Sequence, residues 1–159
     1  MRDYLNHTLE LLDNFGALRD PFDPMNIRRA AQEGARDVGD IHAVPFILEC
    51  KDVEKSAVPK WLRQAHVEAR HAGFPYGVVV AKRRGSGVGA GRVHFSVRTW
   101  TRVRSALALH PQEAAELYGV TVSARGLDTG RWYATVTLDR FAVLLADARR
   151  AGVSSRAVR

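Results

Sequence analysis

The residues best placed to do chemistry in this sequence are Asp40, Glu49 and Lys51, spaced as Asp-x8-Glu-x-Lys. Two carboxylates facing each other across neighbouring strands repel unless something offsets them, and a divalent cation is the simplest remedy. Mg²⁺ or Mn²⁺ takes oxygen ligands in octahedral geometry, so Asp40, Glu49, the main-chain carbonyl of Cys50 and several waters can supply a shell. Lys51 lies two residues after Glu49 and therefore on the same strand face. A metal so placed lowers the pKa of a bound water and stabilises a leaving oxygen, while an ammonium offsets the charge that builds on a phosphorane. The pattern thus points to metal-assisted phosphodiester hydrolysis, although the spacing alone also fits the solvated face of a hairpin.

Positioning these groups requires a hairpin over residues 38–51. Its alternation puts Ile41, Phe46, Leu48 and Cys50 on one face and Asp40, Ile47, Glu49 and Lys51 on the other, with a turn at Ala43 to Pro45. If His42 and Ile47 close the loop as a pair, counting outward sets Asp40 opposite Glu49. Residues 56–73 then read as a helix with Pro59 in its first turn and Trp61, Leu62, Ala65 and Ala69 as its buried stripe. Residues 75–81 form a valine-rich run suited to a buried strand beside the hairpin.

Around this centre, Leu5, Leu9, Leu12 and Phe15 predict an amphipathic helix over residues 2–15, stopped by Gly16. A loop at residues 19–24, a short strand at residues 25–30 and a loop at residues 32–36 follow. Residues 92–98 alternate as a half-exposed strand. Residues 99–118 are helical, broken at Pro111 and stopped at Gly119. A second hairpin spans residues 120–124 and 131–137, and Thr137 caps a last helix over residues 138–151, ended by Gly152. The pattern predicts one α/β domain over residues 1–152, with residues 99–130 as an added element and residues 153–159 as a mobile tail.

Composition narrows the function classes. Cys50 is the single cysteine among 159 residues, which excludes an intrachain disulfide and a thiolate zinc cluster. The histidines have no metal-ligand spacing, and His66 and His71 read as surface helix residues, so a hard cation on carboxylates is expected. Cys50 itself reads as packing on the apolar face. No run approaches a membrane span, and the N-terminus lacks a signal-peptide pattern, so a cytoplasmic location without membrane partners is expected. The net charge of +7 favours a polyanionic partner, though with 24 basic residues, 20 of them Arg, genome composition explains the bias equally well.

Taken together, Gly39-Asp40-Ile41, residues 46–51, Trp61-Leu62-Arg63-Gln64-Ala65 and residues 75–80 resemble the core of PD-(D/E)XK nucleases, and in particular Holliday junction resolvases of the archaeal and phage type. The resemblance covers residues 30–85 together with residues 132–145. It implies a restriction-endonuclease-like fold, a central mixed sheet flanked by helices. It further implies that Asp40 and Glu49 bind the metal, that Lys51 assists the attacking water, and that Gln64 stands near the site. The residues themselves put Gln64 beside the apolar stripe, within reach of the hairpin's polar face. The family also draws an acid from its first helix, for which Asp3 and Glu10 compete. Branched or duplex DNA is the implied substrate, and a homodimer the implied assembly.

The glycine-rich segment at residues 85–91 precedes a strand-like run, so it lacks the helix N-terminus of a dinucleotide loop. It reads as a connection whose flanks, Lys82, Arg83, Arg84 and Arg92, can contact phosphates. Arg98, Arg102 and Arg104 offer a second such surface, with Trp100 expected in the core. Two rival readings remain at this stage: another nuclease of the same fold acting on duplex or flapped DNA, and a DNA-binding protein that keeps the fold without catalysis.

Overall fold

The computed structural model describes residues 1–13, 23, 25–30, 39–52 and 57–153. Phe15, Gly16, most of the loop at residues 19–24, residues 32–36 and the tail beyond Val153 lie outside the described residues. Among the described residues the chain runs α1 (Arg2–Asp13), β1 (Arg28–Arg29), β2 (Ile41–Ala43), β3 (Phe46–Lys51), α2 (Val58–His71) and β4 (Tyr76–Ala81). It continues through β5 (Arg92–Ser96), α3 (Val97–Ala106), α4 (Pro111–Tyr118), β6 (Thr121–Ser123), β7 (Tyr133–Thr137) and α5 (Leu138–Arg150). The strands form one mixed seven-stranded sheet in the order β1-β2-β3-β4-β5-β7-β6. Only β3 and β4 run parallel, joined through α2, and the other neighbours are antiparallel.

Period-two alternation divides the sheet into two faces. On one face Phe46, Leu48, Val78, Val80, Val93, Phe95, Ala134 and Val136 join Leu5 and Leu9 of α1 and the buried side of α5 in a single core. Phe46 stands at its centre, its ring 5.2 Å from Phe141 and 5.3 Å from Tyr76. Trp100 and Val103 of α3 and Ala114 and Tyr118 of α4 belong to the same cluster. The segment expected as an added element therefore shares the core, and Trp100 packs edge-on against Phe95 as a core residue.

On the opposite face lies α2, where Val58, Leu62 and Ala65 pack on Val79 with Trp61 and Tyr133 at the margin. The approach is unusually close at Gly77. A Cβ there would stand 2.2 Å from the Ala65 carbonyl oxygen and 2.9 Å from the His66 nitrogen, so the helix backbone rests on a strand residue without a side chain.

Several local expectations change. Residues 92–98 were expected to form a half-exposed strand. The strand ends at Ser96, whose side chain accepts from the Thr99 amide and starts α3, and Val93, His94 and Phe95 are buried because β5 lies inside the sheet. Thr137 occupies the N-cap of α5 but makes no capping bond, its hydroxyl turning to the Asp139 carboxylate instead. Leu12 is exposed. Only Arg28–Arg29 of residues 25–30 is strand, tethered from beside it by buried Asn6, which exchanges two 3.0 Å hydrogen bonds with the main chain of Ile27.

Gly77→Ala should destabilise the protein by about 1–3 kcal/mol, since the added methyl must push the helix backbone off β4. Urea unfolding reads this as a lower midpoint at unchanged slope. An unaltered midpoint would contradict the close seat of α2 on the sheet.

Candidate active site

The hairpin pairs Ala43 with Phe46, His42 with Ile47 and Ile41 with Leu48, so the register expected from alternation is present. Pairing stops there. Asp40 is preceded by Gly39, which has φ +79° and would drive a Cβ to 2.3 Å from the Ile47 side chain. This backbone conformation admits glycine readily and other residues poorly. Leaving it, the Asp40 amide donates to the Leu48 carbonyl at 3.2 Å, and the Asp40 carboxylate accepts from the Cys50 amide at 2.7 Å. Asp40 was expected directly opposite Glu49. Its carboxylate instead extends the lost ladder and sits over Cys50.

Glu49 faces the α2 side and is 6% exposed. Its Oε1 accepts from the Lys51 ammonium and from the Gln64 side-chain amide, the latter at 3.2 Å. The same Gln64 nitrogen donates at 2.7 Å to Glu68, one helical turn on. Gln64 therefore reaches the hairpin's polar face, and its two N–H groups tie Glu49 to Glu68. Glu68, 2% exposed, is a buried acid that the sequence reading missed. The available signal was its i,i+4 relation to Gln64, which places both on one flank of the helix.

Among the described residues, neither first-helix candidate, Asp3 or Glu10, is bonded to Asp40 or Glu49. Asp3 is exposed and paired with Arg2 at 2.7 Å, while α1 packs its leucines into the core on the face opposite α2. The helix acid beside Glu49 is instead Glu68, from α2.

Electrostatics make Lys51 the pivot. Burial alone lowers its pKa, but the Glu49 hydrogen bond and the fields of Glu49, Asp40 and Glu68 more than reverse this, and the net shift is upward. Three carboxylates thus act on one ammonium. Cys50 feels the same field. Burial foremost, then Asp40 and Glu49, raise its thiol to about 12, so it stays protonated and packs against the core as expected.

The oxygen donors that would hold a hard divalent ion are the carboxylates of Asp40 and Glu49 and a main-chain carbonyl. Lys82 donates its amide to the Lys51 carbonyl, so the Lys51 main chain points to β4 and that of Cys50, by alternation, to the Asp40 side. The Cys50 carbonyl and the Asp40 carboxylate consequently face the same gap at the end of β2. Among the described residues no three His, Cys, Asp or Glu side chains form a cage by themselves. Two carboxylates, one carbonyl and water match the habit of Mg²⁺, which keeps waters and leaves room for phosphate oxygens.

Cross-strand register extends the site along the sheet. Lys51 pairs with Ala81, Ala81 with Arg92 and Arg92 with Thr137, so Arg92 shares a row and a face with Lys51. Two strand spacings put them roughly 10 Å apart. One row below, Glu49 pairs with Val79 and Val79 with His94, whose ring bonds the Thr135 hydroxyl at 2.8 Å. In the basic loop, Lys82 and Arg84 reach Asp52 at 3.3 and 3.4 Å, and Arg83 is exposed. Such exposed pairs are weak and exchange readily for another anion.

Comparison of the chain with protein-family models, with curated proteins and with solved structures found no match.

His94 supplies a pH signature. Burial, followed by the charge of Arg92, lowers its pKa to about 4. Between that value and the ordinary 6.5 the unfolded chain binds a proton that the folded chain refuses, so stability is complete above pH 6.5 and falls as pH drops towards 4. The loss attributable to His94 should reach up to about 3 kcal/mol. Urea titrations across this range should show His94→Gln with a slope against pH shallower by up to one proton. An unchanged slope would count against a buried neutral imidazole.

Proposed function

We propose that this chain is a metal-dependent nuclease of the PD-(D/E)XK type that hydrolyses DNA phosphodiester bonds, and within that class a Holliday junction resolvase-like enzyme. The observation that carries the reading is the Lys51 ammonium, held by Glu49 in the joint field of Asp40, Glu49 and Glu68 and beside the end of β2. The α/β architecture with a mixed sheet between helices is compatible with the resemblance carried by residues 39–51 and 61–80.

In this reading Asp40, Glu49 and the Cys50 carbonyl hold Mg²⁺ or Mn²⁺. The bound ion supplies acidity to a coordinated water and charge stabilisation at the phosphate. Lys51, its pKa raised, remains an ammonium at neutral pH, so its part is to donate to phosphate oxygens rather than to remove a proton. Gln64 fixes the Glu49 carboxylate through Oε1 and leaves Oε2 for a ligand. Arg92, in the row of Lys51, and the loop of Lys82, Arg83 and Arg84 receive neighbouring phosphates. A homodimer with two such sites matches the two-fold symmetry of a four-way junction.

Cleavage of four-way, flap and linear DNA, each with Mg²⁺ or with EDTA, tests the reading. Paired incision of the junction with Mg²⁺ is expected, with little cutting of linear duplex and none in EDTA. Binding without cleavage on every substrate would favour a non-catalytic DNA-binding protein, and equal rates on junction and duplex would remove the resolvase assignment alone. Glu49→Gln should abolish turnover while DNA binding is retained or tightened. Lys51→Ala should lower kcat by about 10²–10³ with a smaller effect on metal affinity. Unchanged turnover in folded Glu49→Gln would reject the site.

A further inference from the structure

A second concentration of charge lies on the other flank of α2. Between the C-terminal half of that helix and α3 is a cleft of about 460 Å³, lined by His66, Arg70, Arg98 and Arg102 over an apolar floor of Ala69, Phe74 and Pro75. Among the described residues no carboxylate lines it. Among the described residues, none of its four basic side chains forms an ion pair with an acid. Arg102 is held in place, donating to the Pro75 carbonyl at 3.3 Å with its guanidinium 5.2 Å above the Tyr76 ring. Arg70 and Arg98 are exposed and free to turn towards a ligand. The guanidiniums converge closely enough that, after burial, Arg70, Arg98 and Arg102 are what lower the pKa of His66.

Three cations gathered around one cleft without a counter-charge repel one another, and the arrangement is relieved by an anion that accepts several N–H bonds at once. Guanidinium forks match phosphate oxygens in this way. We infer that the cleft between α2 and α3 is a phosphate subsite that grips the DNA backbone at a point remote from the bond being cut.

The inference rests on the nuclease reading for its ligand, and the position of α2 supports DNA over a free anion. The outer face of the helix carries exposed Lys60, Arg63 and Arg70, while its one acid, Glu68, is buried on the flank of Gln64. A basic ridge thus joins the Glu49 site to the cleft. Pro75 immediately precedes β4, and Ala81, paired with Lys51, ends it. Those six steps span roughly 20 Å, about six base pairs of rise. A second grip at that distance orients a duplex arm across α2 instead of merely raising its local concentration.

The test measures binding to a four-way junction and to linear duplex as a function of salt, in EDTA so that cleavage plays no part. If the cleft holds one phosphate, Arg98→Gln and the Arg70→Gln/Arg98→Gln double variant should each lower the slope of log K against log salt by about 0.9. Arg98→Lys, which keeps the charge, should largely restore the slope and also shows that a loss is not misfolding. An unchanged slope in the double variant overturns the inference, as does failure of the wild-type protein to bind either DNA. Inorganic phosphate, followed by its effect on the His66 ring resonances, distinguishes the source. Displacement by DNA supports a backbone phosphate, and phosphate that DNA does not displace overturns it. Because the readout is binding alone, absence of cleavage by the wild type would reject the nuclease without deciding this result.

Discussion

The contact of a helix backbone with a bare strand residue governs how this protein arranges its polar groups. Gly77 allows the Ala65 carbonyl to lie where any other residue would place a Cβ, 2.2 Å away. Because Gly77 pairs with Ile47, that seat sets the height of α2 over β3 as well as β4. An amide on a short side chain such as Gln64 reaches a strand carboxylate only if the helix is this close. The bond from Gln64 to Glu49 is therefore a consequence of a packing constraint made several residues away.

The same seat brings a cost. Glu49 and Glu68 are both nearly excluded from water, and buried carboxylates are tolerable only when hydrogen-bonded or paired. The Lys51 ammonium and the Gln64 amide bond Glu49, the same amide bonds Glu68, and Asp40 adds a third negative charge to the field at Lys51. A core stabilised purely for its own sake would use apolar side chains here, as the opposite face of the sheet does around Phe46. The contrast between a dry aromatic face and a face that buries two carboxylates is the strongest physical reason to propose chemistry at the latter.

Much of this was legible in the sequence where short-range periodicity carries the information. Alternation in residues 38–51 predicts the hairpin and its register, the stripe of Leu62, Ala65 and Ala69 orients α2, and the valine run announces a buried β4. Asp40 departed from the pattern because Gly39 turns the backbone to positive φ just before it, which counting along an ideal ladder ignores. Glu68 escaped because an acid next to an apolar stripe is ordinarily solvated, and only the depth of the helix on Gly77 shows otherwise. Arg98 and Arg102 were visible as a basic pair, but their meeting with His66 and Arg70 depends on β4 and β5 lying side by side, a long-range fact without a local signature.

The placement of lysine at position 51 follows from the same geometry. The chain uses arginine five times as often, with 20 Arg to four Lys. Where arginine lines the cleft beside α2, several planar forks can converge on one anion from outside. At position 51 the cation is wedged against Glu49 on a strand face covered by α2, 19% exposed. A fork with five donors there would leave several of them unpaired away from water, at a cost of roughly 1–3 kcal/mol each. A single ammonium with three rotatable donors can bond Glu49 and still turn a proton outward. The two basic sites thus differ as the proposed tasks differ: a compact, partly buried charge beside the acids, and an open set of guanidiniums where the proposed phosphate has only to be held.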